Sequence, residues 1–165
     1  MEETEYDSEV GLFRGAACYG DGSAAYPDIY AKHGMSGISS FPIECRELCA
    51  DKGVGTPMFS LSTNCLYYGA YVLVDKMAEI LGKPKQYEEK AQAMKMSIND
   101  AFWNEERGTY DYLRDPFGGC DHQEGLGISF VLLYGVADKE RAEKVLENAY
   151  VTPHGLACVW PTFKR

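Results

Sequence analysis

A chain of 165 residues, 45% hydrophobic and 25% charged, has enough apolar surface to build one packed core and is not of a disordered composition. A formal charge of −9 and a pI near 4.8, without any basic run, argue against nucleic acid or an anionic membrane as partner, and no stretch of about eighteen apolar residues reads as a membrane span. The opening Met1-Glu2-Glu3-Thr4-Glu5 is not a charged-then-apolar leader, so a cytoplasmic protein whose six cysteines are free thiols is expected.

Residues 1–59 carry Gly11, Gly15, Gly20, Gly22, Gly34, Gly37, Gly53 and Gly55 and read as a loop-rich segment of the kind that builds active sites, with one short helix near Ile43 to Ala50. Cys45 and Cys49 would share a face of that helix, as half of a metal site does. No second pair at zinc spacing follows, and His33, His122 and His154 are the only histidines. Neither a metal nor a cofactor is therefore expected.

The next helix begins near Ser62-Thr63-Asn64 and carries Leu66, Ala70, Leu73, Met77 and Ile80 at three- and four-residue steps, a stripe that should face the core. Gly82-Lys83-Pro84 ends it, because Gly tolerates the left-handed cap and Pro cannot continue the helix. Tyr87 to Phe102 repeats the pattern with Ala91, Met94, Ile98 and Phe102, so residues 60–104 read as a first antiparallel hairpin. The aromatic turn Phe102-Trp103-Asn104-Glu105-Glu106-Arg107-Gly108-Thr109-Tyr110 closes it.

After an irregular Gly-, Tyr- and Asp-rich stretch, a third helix near His122 to Gly135 carries Leu126, Ile128, Phe130, Val131, Leu133 and Tyr134. It is apolar on most sides and is expected to be buried. Asp138 caps a fourth helix, Lys139 to Asn148, with Ala142, Val145 and Leu146 inward and Lys139, Glu140, Arg141, Glu143, Lys144 and Glu147 in water. Residues 121–149 form the second hairpin of what reads as a single all-α domain over residues 1–165.

Four patches mix aromatics with carboxylates or amides: Tyr19-Gly20-Asp21-Gly22 with Tyr26-Pro27-Asp28, Asn64 with Tyr67-Tyr68, Asp121-His122-Gln123-Glu124, and His154 to Trp160-Pro161. Aromatic faces stack on sugar C–H surfaces while carboxylates and amides hold hydroxyls, so the mixture suits a carbohydrate. Tyrosines at the edge of a helical core account for the same residues one at a time. Glycoside cleavage needs one carboxylic acid for the leaving oxygen and one carboxylate to activate water or attack. Asp21, with Gly on each side, is the candidate acid, and a Gly-Asp-Gly turn is the competing reading. Glu124 is the second carboxylate, with a helix N-cap role for it or for Asp121 as the competitor. Phosphate loops and serine nucleophile elbows are absent.

The order GLFRGAACYGDGSAAYP, STNCLYYGAYVLVDKMAEILG, FWNEERGTYDY, DHQEGLGISFVLLYGVADKERAEKVLEN, VTPHGLACVWPTF resembles the central part of the six-hairpin (α/α)6-barrel glycoside hydrolases over nearly the whole chain. It is most similar to bacterial enzymes of the mannosylglycerate hydrolase-like and glycogen-debranching C-terminal groups, and cellobiose-phosphorylase-type enzymes share the order of elements. The resemblance implies an incomplete (α/α)6 toroid of helical hairpins and a glycosidase acting on oligosaccharides by general acid/base catalysis with inversion. It implies Asp21 as the acid, with Arg14 and Asn64 beside the sugar. Tyr19, Tyr67, Gln123, His154 and Trp160 complete the expected substrate-binding set.

The sequence departs from the Asp-Trp-Asn-Asp form of the phosphorylases at Gly22, and it lacks the Gly-Leu-Asp-Asn form at Gly11-Leu12-Phe13-Arg14. Six hairpins need on the order of 350 residues, so a fragment is expected, inactive alone or completed by a second copy or by the missing half of the barrel. The alternatives are a non-catalytic sugar-binding or assembly module and a glycoside phosphorylase, the latter without a visible basic cluster for phosphate.

Overall fold

The computed structural model describes residues 5–18, 58–115 and 118–163. Four helices lie among them: α1 (Leu61–Ile80), α2 (Glu88–Phe102), α3 (Gly125–Leu133) and α4 (Lys139–Asn148). Eleven strands of two or three residues fill the connections: β1 (Tyr6–Asp7), β2 (Leu12–Phe13), β3 (Phe59–Ser60), β4 (Trp103–Asn104), β5 (Thr109–Tyr110), β6 (Leu113–Asp115), β7 (Gly118–Cys120), β8 (Gln123–Glu124), β9 (Val151–Thr152), β10 (Gly155–Leu156) and β11 (Val159–Trp160). The expectation of an all-α domain is thereby corrected: the described residues are 47% helix and 20% strand, the strands lying in several small antiparallel sheets. Extended links between helices must still satisfy their backbone groups, and they do so by pairing with one another. Ladders this short leave no period-two pattern in the sequence.

α1 and α2 form the expected hairpin. Gly82, at φ 65°, caps α1, with the Lys83 amide donating to the Ala78 carbonyl at 2.8 Å and the Gly82 amide to Glu79 at 3.0 Å. Two turns earlier, the buried carboxylate of Asp75 accepts from the amides of Gln86 and Tyr87 at 2.8 to 3.1 Å. That carboxylate fixes the start of α2 against α1 and supplies the negative charge its N-terminus favours. Ala91, Met94, Ile98 and Phe102 are buried as their spacing requires.

α1 differs from the expectation. Leu73, Met77 and Ile80 are 48%, 54% and 75% exposed, Ala70 is exposed and Leu66 half-buried. The buried face is instead Leu61, Ser62, Asn64, Cys65, Tyr68, Gly69 and Asp75. Its polar members are buried because each finds backbone to bond, a long-range circumstance that apolar periodicity cannot report. α3 is likewise buried on one side only, through Gly125, Gly127, Ile128 and Val131, while Leu133 is exposed.

A Cβ on Gly127 would meet Leu61 at 2.8 Å and one on Gly69 would meet the Tyr134 ring at 2.9 Å, so α1 and α3 run side by side in the same direction. α4, capped by Asp138 accepting from the Arg141 amide at 2.9 Å, packs on β5. Only Val145 of its expected inner face is fully buried, Leu146 being exposed. Arg141, expected in water, lies 5.2 Å over the Trp103 ring and donates to Asn99 Oδ1 at 2.9 Å. The same oxygen accepts from the Tyr110 hydroxyl at 2.6 Å, and Asn99 Nδ2 donates to the Val136 carbonyl at 3.1 Å. One amide thus joins α2, the aromatic turn, α4 and the link ahead of it.

Candidate active site around Glu124

Two strands that run straight into helices set the site. β3 leads into α1 and β8 into α3, and β8 is held by β11, with Val159 opposite Glu124 and Trp160 opposite Gln123. The Gly125 amide donates to the Cys158 carbonyl at 2.8 Å, and a Cβ at Gly125 would lie 2.4 Å from the Ala157 carbonyl oxygen, so only glycine fits there. Glu124 is thereby delivered, as the residue preceding α3, against the first turn of α1.

Side chains of that turn also capture the chain ahead of residue 19. Asn64 Oδ1 accepts from the Phe13 amide at 2.8 Å, and Asn64 Nδ2 donates to the carbonyls of Phe13 and Ser60 at 3.1 and 2.9 Å. Ser60 Oγ donates to the Gly15 carbonyl at 3.1 Å and Thr63 Oγ1 to that of Ala16 at 2.6 Å. Ser62 Oγ accepts from the Cys18 amide at 3.0 Å. Residues 13–18 are laid across the start of α1 by the four polar residues Ser60, Ser62, Thr63 and Asn64, with the core residue Leu61 between the first two.

Glu124 is 4% exposed. Its Oε2 accepts from the Ser62 amide at 3.0 Å, and the Ser62 side chain also favours the ionised carboxylate. Oε1 is buried with no hydrogen-bond partner among the described residues. Burial pushes the carboxyl up to about 7, against the side chain and amide of Ser62, which favour the ionised form. The Glu124 charge and burial together raise the neighbouring Cys65 thiol, burial being the larger cause. A carboxyl held through one oxygen, with the other unpaired and a midpoint near neutrality, is able to give or take a proton at physiological pH.

Of the other residues read from the sequence, Asn64 and Gln123 spend their amide groups on the backbone, Gln123 exchanging bonds with Tyr150 and donating to the Ala157 carbonyl at 3.0 Å. Arg14 pairs with Asp7. Tyr67 stacks on Phe13 with ring centroids 3.6 Å apart. Trp160 stacks on Tyr150 at 3.8 Å and is partly exposed beside β8. His154 lies exposed in the β9–β10 turn. Tyr19 and Asp21 lie outside the described residues, as do Cys45 and Cys49. Among the described residues no group of three or more His, Cys, Asp or Glu could hold a metal ion, and no helix is long and apolar enough to cross a membrane. Ser62 and Gly127 were not legible as site residues. The signal was the Glu124-Gly125-Leu126-Gly127 spacing, since a Cβ at Gly127 would sit 2.5 Å from Glu124 Oε2.

No protein-family model matches the sequence, and no curated protein matches it significantly. Among solved structures the chain is similar to neutral trehalase Nth1 from Saccharomyces cerevisiae, with a TM-score of 0.63 at 18% identity, over 94% of this chain and 37% of that one. The chain therefore shares its fold with the matched part of that structure. It spans a little over a third of the trehalase, and the likeness carries no information on the mannosylglycerate hydrolase-like or debranching groups.

Proposed function

We propose that this chain takes part in breaking glycosidic bonds in oligosaccharides, with Glu124 as a proton-transferring carboxyl and Asp21, assigned from the sequence, as the second carboxyl. The observation that carries the reading is the Glu124 side chain: buried, poised near 7, held at Oε2 and unpaired at Oε1. Acid/base cleavage of an acetal needs a carboxyl of this kind, protonated often enough to give up a proton and ionised often enough to take one. Trp160, stacked on Tyr150 and partly exposed, offers an aromatic face for a sugar ring.

The similarity to a trehalase makes trehalose the first substrate to test, followed by maltose and cellobiose. Glucose release is measured for the wild type and for Glu124→Gln. The variant should lose roughly 10²- to 10⁴-fold in rate while keeping its circular dichroism spectrum, and turnover equal to wild type would remove Glu124 from the chemistry. Cleavage that requires added inorganic phosphate would identify a phosphorylase instead.

The exposed apolar stripe of α1 favours a second reading, a sugar-binding or assembly module completed by a second copy or by further hairpins. Asp21→Asn separates the two. In an enzyme it abolishes turnover, whereas in a module it leaves sugar binding intact.

A further inference from the structure

Ser62 stands at a junction that the proton-transfer reading leaves unexplained. Its amide donates to Glu124 Oε2 at 3.0 Å, its hydroxyl oxygen accepts from the Cys18 amide at 3.0 Å, and its side chain favours the ionised form of the same carboxylate. With its lone pair engaged by the Cys18 amide, the hydroxyl keeps one proton, and the carboxylate held by the amide of the same residue is the acceptor available to it. Ser62 is itself fully buried, which removes water as a substitute partner. Gly127, whose missing Cβ leaves room for Oε2, keeps the carboxylate against Ser62.

We propose that Ser62 is a positioning residue that fixes one oxygen of Glu124, leaves the other as the working oxygen, and ties that carboxylate to the backbone at Cys18, the last described residue before residues 19–57. The proposal rests on Glu124 being the proton-transferring group. It adds that the geometry at Glu124 and the placement of the chain at Cys18 are set by the same side chain and change together. Among the described residues the titratable groups facing Glu124 are the Cys65 thiol on α1 and, through Cys65, the Cys18 thiol. The Cys18 sulfur lies 3.5 Å from Thr63 Oγ1.

The test is an NMR titration of the whole chain carrying ¹³C-carboxyl glutamate and ¹⁵N amides, which needs no substrate. In the wild type the Ser62 and Cys18 amide signals should both move with the Glu124 midpoint, because one donates to the carboxylate and the other to the hydroxyl proposed to fix it. Ser62→Ala should raise the Glu124 midpoint by roughly half to one pH unit, since the hydroxyl favours the ionised form, and should uncouple the Cys18 amide from it. Ser62→Thr, which keeps the hydroxyl, should restore both.

A Cys18 amide that ignores the Glu124 titration in the wild type overturns the proposal, and so does a Glu124 midpoint unchanged in Ser62→Ala. If Ser62→Ala does not fold, the wild-type amide signals and Ser62→Thr still decide. These readouts are independent of turnover. A chain that hydrolyses nothing yet shows the coupled titration would sink the catalytic reading alone, and an active chain without the coupling would sink the role of Ser62 alone.

Discussion

A carboxyl group removed from water, with one oxygen unpaired, is costly to keep ionised, and Glu124 shows where that cost falls. Its ordinary value is 4.5 and its value in the fold is about 7. Between those limits the folded chain holds more protons than the unfolded one, so stability falls as pH rises through this window and is fully reduced above it. At 1.36 kcal/mol for each pH unit the burial costs about 3 kcal/mol at pH 8. Glu124→Gln, which keeps an acceptor for the Ser62 amide and carries no charge, should be more stable than wild type at pH 8 by about 1 to 3 kcal/mol, the gain vanishing towards pH 4.5. Urea midpoints at pH 8 and pH 5 check this, and a pH-independent difference would mean that Glu124 is not buried as described.

At the scale of elements, the hairpin of α1 and α2 is tied by a carboxylate as well as by the turn that joins them. Asp75→Ala leaves the amides of Gln86 and Tyr87 without acceptors and should cost about 1 to 3 kcal/mol. A thermal melt would show it, together with faster hydrogen exchange at those two amides; a melt within a degree of wild type would assign the contact no weight. What was readable in the sequence follows the same division. The burial of Ala91, Met94, Ile98 and Phe102 and the caps at Gly82 and Asp138 are local properties, and spacing revealed them. The inner face of α1 is not local. Ser62, Asn64 and Asp75 are buried because chain segments far along the sequence bring them backbone groups to bond, and the strands exist only as partners of one another. Glu124 could be singled out from its place at the start of a helix, but its burial comes from β11 and the start of α1.

For the whole molecule, the consequence of that exchange of faces is an apolar stripe on the outside, running from Ala70 through Leu73 and Met77 to Ile80 and Leu81. A continuous exposed apolar stripe of this length is the kind of surface that marks an interaction site. In isolation the chain should self-associate as its concentration rises, seen as an increase in mass by light scattering. Replacing Leu73 and Met77 together by Lys should return it to a monomer without lowering its melting temperature, because neither side chain is in the core. A wild type that stays monomeric at every concentration would show that the stripe is tolerated uncovered.

The pair of bonds between Asn64 and the backbone of Phe13 spans 51 residues. During synthesis at about 5 to 20 residues per second, Phe13 is made roughly 3 to 10 seconds before the side chain that will hold it. For that interval Leu12 and Phe13, both fully buried in the finished fold, have nowhere to go. Residues 12 and 13 therefore reach their final place only once the first turn of α1 has been made.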